Sequence, residues 1–184
     1  MPTKPPTSQF EAELYSPKQK GESDSWAFLL LPKSASETLP RRGRTSVEGQ
    51  INGHLFQVRL EPDGQLSHWM KVSEELQASA GISPGDIVTV ELSHVLEEPE
   101  PDLPQDLSDA LAEAPEAQRT WEATTTIARV DWIHWIESAK QEKTRVKRVH
   151  SACDMLTKSK KRVCCFDSSG YYSKSLQAPK RADQ

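Results

Sequence analysis

The chain has 184 residues, 35% hydrophobic and 27% charged, with a mean hydropathy of −0.67; this suffices for one compact domain or two small ones. Its longest apolar run, Ala27-Phe28-Leu29-Leu30-Leu31, falls far short of the roughly 20 residues a membrane helix needs, so no membrane insertion is expected. The net charge of −4 hides a division: from Arg129 onwards there are 13 basic and 6 acidic residues (+7), against 10 and 21 (−11) before it. Such asymmetry points to two modules that attract one another, or to a basic tail with an anionic partner.

Residues 1–8 carry three prolines and no large apolar side chain, and are expected to be disordered. No apolar segment follows Lys4, so no secretory signal is expected. Period-two patterning comes next: Phe10, Ala12 and Leu14; Trp26, Phe28 and Leu30; Phe56, Val58 and Leu60. Alternation of this kind predicts strands with one face on a core and one in water. Asn52-Gly53 favours positive φ at both turn positions and predicts a two-residue hairpin. Pro62-Asp63-Gly64 turns the chain into a strand over Gln65 to Val72. Ser73 to Ala80 reads as a short helix, with Ser73 as N-cap and Gly81 as its left-handed stop. Pro84-Gly85 leads into a last strand, Asp86 to Leu92. About six strands and one short helix make residues 9–96 a small antiparallel β-barrel, closed or nearly so, because closure removes exposed edges.

Residues 97–102, Glu-Glu-Pro-Glu-Pro-Asp, form an acidic, proline-rich linker. Over residues 103–176 the period becomes helical. Leu103 to Ala112 is one helix, Pro115 opens a second through Trp121, and Thr124-Thr125-Thr126 breaks it. Trp132, Trp135, Ala139, Val146, Val149, Cys153 and Leu156 then fit the apolar positions of a seven-residue repeat. Glu142 is the misfit, and two helices, about Ile127–Ala139 and Glu142–Lys158, are preferred over one coiled coil. Residues 177–184 are expected to be disordered. The fold class expected is therefore α+β: a small antiparallel barrel, then an all-α domain.

Two stretches carry resemblances. Trp26-Ala27-Phe28-Leu29-Leu30-Leu31-Pro32, Val47-x-Gly49-x-Ile51-Asn52-Gly53, His68-Trp69-Met70-Lys71-Val72 and Gly81-Ile82-x-x-Gly85-Asp86-x-Val88 resemble a small-barrel family catalogued as a domain of unknown function (number nineteen-oh-five). Trp135-Ile136-x-x-Ala139-Lys140, Thr144-Arg145-x-Lys147-Arg148-Val149 and Cys164-Cys165-Phe166-Asp167 resemble the YdeI/OmpD-associated, bacteriocin-protection family. Where that family has an acidic residue just before the Thr-Arg pair, this chain has Lys143. The resemblance implies a cytoplasmic bacterial protein tied to stress or envelope protection, and it implies no catalytic mechanism.

The residues themselves name no reaction. Three cysteines are an odd count and Cys164-Cys165 are neighbours, which excludes a disulfide framework, favours a reducing cytosol and lacks the spacing of a zinc site. No metal and no cofactor are expected. His54, His68, His94, His134 and His150 belong to no nucleophile motif, and Cys153 lies on an apolar stripe where a thiol is inert. Gly81 to Asp86 reads as a barrel turn rather than a phosphate cradle. No catalytic residue is assigned, and a non-enzymatic binding or interaction protein with a protein or small-molecule partner is expected.

Trp26 and His68 are the ligand-binding candidates, as a stacking pair at the barrel mouth. The plainer alternative makes Trp26 core and His68 a hydrogen-bonded histidine inside a filled barrel. By alternation His68 shares a face with Leu66, Met70 and Val72. Trp69 then points the other way, towards a covering surface that the helical module would supply. On the last helix Val146, Val149, Cys153 and Leu156 form the apolar stripe, with Lys147, Ser151 and Lys158 opposite. Arg145 falls at the boundary, placed for a bidentate pair with an acid of the barrel or linker. Arg145, Arg148, Lys158, Lys160, Lys161 and Arg162 are thus candidates for interdomain or anion contact, against the alternative of a solvated basic face. The second functional reading is a nucleic-acid-associated regulator, since Gly81-Ile82-x-x-Gly85-Asp86 is also similar to AbrB-type swapped-hairpin barrels.

Overall fold

The structure, a computed structural model, describes residues 3–18, 25–163 and 176–182. In chain order the first elements are β1 (Ser8–Glu13), β2 (Ala27–Leu30), α1 (Lys33–Ser36), β3 (Thr45–Ile51), β4 (His54–Pro62), β5 (His68–Val72), α2 (Glu74–Ala80) and β6 (Ile87–His94). Asn52 and Gly53 both take positive φ, 46° and 82°, so β3 folds back on β4 from Ile51↔His54 to Thr45↔Leu60. The antiparallel strands run in the order β1-β6-β3-β4-β5-β2. Just past β1, Tyr15 bridges Phe28 of β2 through two backbone hydrogen bonds of 2.8 and 2.9 Å, which brings the two ends of the sheet together. The six strands of this sheet all belong to the first unit.

Leu29, Val47, Ile51, Leu60, Met70 and Val90 are fully buried in the interior. Gly49 is required where β3 meets β6: a Cβ there would sit 1.8 Å from the Glu91 carbonyl oxygen. Helix α2 is as expected, with Ser73 Oγ accepting the Leu76 N–H at 3.2 Å and Gly81 at φ 65°. Three expectations need correction. Strand β5 begins at His68 rather than Gln65, because Leu66 takes φ 66° in the turn and is 67% exposed. The core face of β2 is Ala27 and Leu29, continued by Leu31, not Trp26, Phe28 and Leu30, since the barrel interior holds small and aliphatic side chains. Helix α1 is a single turn after Pro32, too short to show a period.

The second unit, residues 98–173, contains α3 (Gln105–Ala112), α4 (Pro115–Ala123), α5 (Thr126–Glu137) and α6 (Glu142–Thr157) among its described residues. Thr125 caps α5 by accepting the Ala128 N–H at 3.2 Å, and the chain breaks between Glu137 and Glu142, so no continuous coiled coil forms. Trp132 and Ile136 are fully buried, and Trp132 meets Trp135 edge to face at 6.2 Å. On α6 the buried residues are Val149, Ala152 and Leu156, whereas Val146 is 46% exposed. The buried face is rotated by about 45° from the expected stripe, towards the angle of Arg145.

The chain then returns to the first unit, which comprises residues 1–97 together with 174–184. Residues 177–182, expected to be disordered, lie along the barrel. Lys18 N–H donates to the Lys180 carbonyl and Ala182 N–H to the Ser16 carbonyl, each at 2.8 Å. At the other terminus, Ser8 already belongs to β1.

Candidate functional site

His68 is 1% exposed, and its neighbours fix its tautomer. A carbonyl only accepts, so Nε2–H donates to the Gly43 carbonyl at 2.9 Å, leaving Nδ1 to accept the Ser36 hydroxyl at 2.5 Å. Burial pushes the ring below the usual histidine pKa, although the Gly43 hydrogen bond and Asp63 oppose this. The neutral imidazole is thus a tie between β5, α1 and the loop before β3. Trp26 packs instead against Phe28 and Trp69, with Lys71 above its ring.

The aromatic side chains gather on the outside of the barrel instead. The register Ala27↔Val72, Phe28↔Lys71, Leu29↔Met70 and Leu30↔Trp69 sends Phe28, Leu30, Trp69 and Lys71 outward, because directly opposite residues share a face. Phe28 is fully buried there, ringed by Tyr15 at 5.6 Å, Trp69 at 6.2 Å and Trp26 at 6.3 Å between centroids. Trp26 and Trp69 lie 6.4 Å apart, tilted 32°, and both remain half-exposed. Lys71 Nζ sits 5.0 Å over the Trp26 ring and the Arg181 guanidinium 4.8 Å over Tyr15. The cover expected for Trp69 is supplied by its neighbours Trp26 and Phe28. The unbroken apolar run from Trp26 to Leu31 marks a strand buried on both sides, which loses its alternation, but it does not tell which side chains point outward.

In the helical unit the arginines read helix ends. Arg129 donates to the carbonyls of Trp121 at 3.1 Å and Thr124 at 2.7 Å, closing α4. It also pairs with Glu100, whose carboxylate accepts the Thr126 hydroxyl at 2.7 Å; Arg129 and then Thr126 hold that carboxyl below its ordinary pKa. Glu100 therefore anchors the segment expected to be a free linker. Arg148 donates to the Trp135 carbonyl at 2.6 Å and to Ser138 Oγ at 2.9 Å, closing α5, with its guanidinium 5.4 Å over the Trp135 ring. Arg145 makes a bidentate pair, Nε to Asp106 Oδ2 at 2.8 Å and Nη2 to Oδ1 at 3.2 Å. The acid is on α3 in the same unit, not on the barrel or linker. The Arg145 hydrogen bond pulls the Asp106 pKa down.

Lys158, Lys160, Lys161 and Arg162 are exposed beyond α6. Ser159 at φ 64° ends that helix, and the Lys161 carbonyl accepts from Thr124 Oγ1 at 2.8 Å and Trp132 Nε1 at 3.2 Å. The Cys153 thiol is pushed up by burial and then by Asp154, the opposite of an activated nucleophile. Cys164-Cys165-Phe166-Asp167 lies outside the described residues. No described helix is long and apolar enough to cross a membrane.

Fold and site together define a two-module chain: a barrel with an apolar core and an aromatic outer face, followed by an arginine-stapled helical unit. Residues 10–92 match the family described as Domain of unknown function (DUF1905), and residues 100–159 match the family described as Bacteriocin-protection, YdeI or OmpD-Associated. The two matches stand in the order that the sequence motifs indicated. A comparison with curated proteins finds no match.

Proposed function

We propose that this chain is a non-enzymatic binding protein of the bacterial cytoplasm, serving the protective role that the description of its second family names, and that binding takes place on the outer aromatic face of the barrel. The observation that carries this reading is the half-exposed Trp26–Trp69 pair, with a cation above it and an apolar core behind it. Two rigid aromatic rings offer large contact area at small entropic loss, which suits recognition rather than core packing. Survival of a bacterial strain lacking the chain, challenged with a bacteriocin, tests this. Wild type restores protection, and a folded Trp26→Ala/Trp69→Ala variant does not; full protection by that variant overturns the reading.

A second reading, nucleic-acid association, draws on the exposed Lys158, Lys160, Lys161 and Arg162, whose backbone is pinned at Lys161. It requires duplex binding that weakens steeply with salt, and no binding at about 50 mM salt removes it.

A further inference from the structure

The margin of the barrel that seats residues 176–182 is built for more than its present occupant. The β1–β6 ladder ends at Glu13↔Ile87, and Ser16–Lys18 run on past it. Leu176–Ala182 supplies their backbone partners: Lys180 and Ala182 pair with Lys18 and Ser16, around a bridge at Pro17↔Arg181. Further along, Ala178 N–H donates to the Asp63 carbonyl at 3.3 Å. The Leu176 carbonyl comes so near Gly64 that a Cβ there would stand 2.8 Å from it. Main-chain pairing is therefore well developed, but between Gln177 and Arg181 the segment brings only the small Ala178 and Pro179 to the gap. A gap of about 480 Å³ remains between Gln177–Arg181 and the barrel residues Phe28, Leu30, Asp63 and Gln65. Leu30, on its wall, is 39% exposed.

Backbone pairing at a sheet margin beside an open side-chain pocket is the layout of an added peptide strand. An occupant that leaves the pocket open forgoes contacts that a better-filling one makes. Charge agrees in sign: residues 1–97 hold 13 acidic and 9 basic side chains, a balance of −4, and the seated segment presents Lys180 and Arg181. Building on the reading of the outer face as the binding surface, we infer that the ligand is an extended peptide segment of a partner protein. It combines a Pro-basic-basic sequence with an apolar side chain in the place of Ala178, and it displaces the resident Leu176–Ala182.

The test titrates two labelled peptides, Leu-Gln-Ala-Pro-Lys-Arg-Ala and its Ala178→Phe version, against the full chain and a full-length Arg181→Ala/Ala182→Pro variant. That variant loses the cation over Tyr15 and the N–H given to Ser16. It should bind both peptides about tenfold or more tightly than wild type, whose own segment competes at high effective concentration. The Ala178→Phe peptide should be the tighter of the two, and Leu30→Lys should weaken both. A folded variant that binds neither peptide, or binds no better than wild type, overturns the inference. Independently, excess Ala178→Phe peptide should speed solvent exchange of the Ala182 amide in wild type, and unchanged exchange counts equally against it. Peptide binding that survives Trp26→Ala/Trp69→Ala but falls with Leu30→Lys keeps the seat and removes the Trp26–Trp69 reading. Protection that needs both tryptophans, with no peptide binding, does the reverse.

Discussion

The two units solve the problem of chain ends differently. The barrel satisfies its backbone by ladder pairing around the sheet, closed at Tyr15↔Phe28, and its one tightly held imidazole is neutral. The helical unit has helix ends to satisfy, and it meets α4 and α5 with the guanidinium groups of Arg129 and Arg148. The lesson concerns charge. Basic residues that look like an interaction surface in the sequence are partly consumed by the scaffold, while the barrel keeps a half-buried tryptophan pair on its outer face.

The comparison is broken most severely at Gly49. Gly49→Ala forces a Cβ into the Glu91 carbonyl, and a loss of about 3 kcal/mol or more is expected in urea melts, from overpacking in a closed ladder. Arg129→Ala comes next, at about 1–3 kcal/mol, because buried helix-end carbonyls lose a charged donor. Hydrogen exchange should rise in α4 and α5 and stay unchanged in the strands; uniform acceleration would contradict the local role.

His68 sharpens the contrast through pH. Its folded pKa lies below the ordinary 6.5, so the unfolded chain binds that proton first. The contribution is complete above about pH 6.5 and is lost as pH falls through the folded value. In His68→Gln, whose amide keeps one donor and one acceptor, stability should be flatter between about pH 6.5 and 5 than in wild type. Glu100 and Asp106, both lowered from ordinary values of 4.5 and 3.8, add their losses only at more acid pH. A smaller effect is expected at Arg145: its partner Asp106 is 41% exposed, so Arg145→Ala should cost about 0.5–1 kcal/mol. Lys147→Ala, on the exposed face, should lie within about 0.5 kcal/mol of neutral.

Much of this was legible in the sequence. Asn52-Gly53, Ser73 with Gly81, Pro115 and the Thr124–Thr126 break each carry local chemistry that fixes a turn or cap without help from the rest of the fold. The outer aromatic face was not legible, because Trp26 to Leu31 is apolar throughout and its inward parity is decided by pairing with Met70 and Val72 on a distant strand. The partner of Arg145 was missed for a related reason: Ala152, too small to weigh in the pattern, shifts the buried face of α6 to the side that carries Arg145. Helix α1 gave no period at all, and with it went Ser36, the residue that holds His68.

Amide and indole chemical shifts of the full-length Arg181→Ala/Ala182→Pro variant, recorded with and without the Ala178→Phe peptide, test the central claim most directly. The account predicts changes at the Trp26 and Trp69 indoles and the Ser16 and Lys18 amides, with Met70 and Val72 in the interior unmoved. Changes centred on His68, Met70 and Val72, or on Lys158 to Arg162, would contradict it.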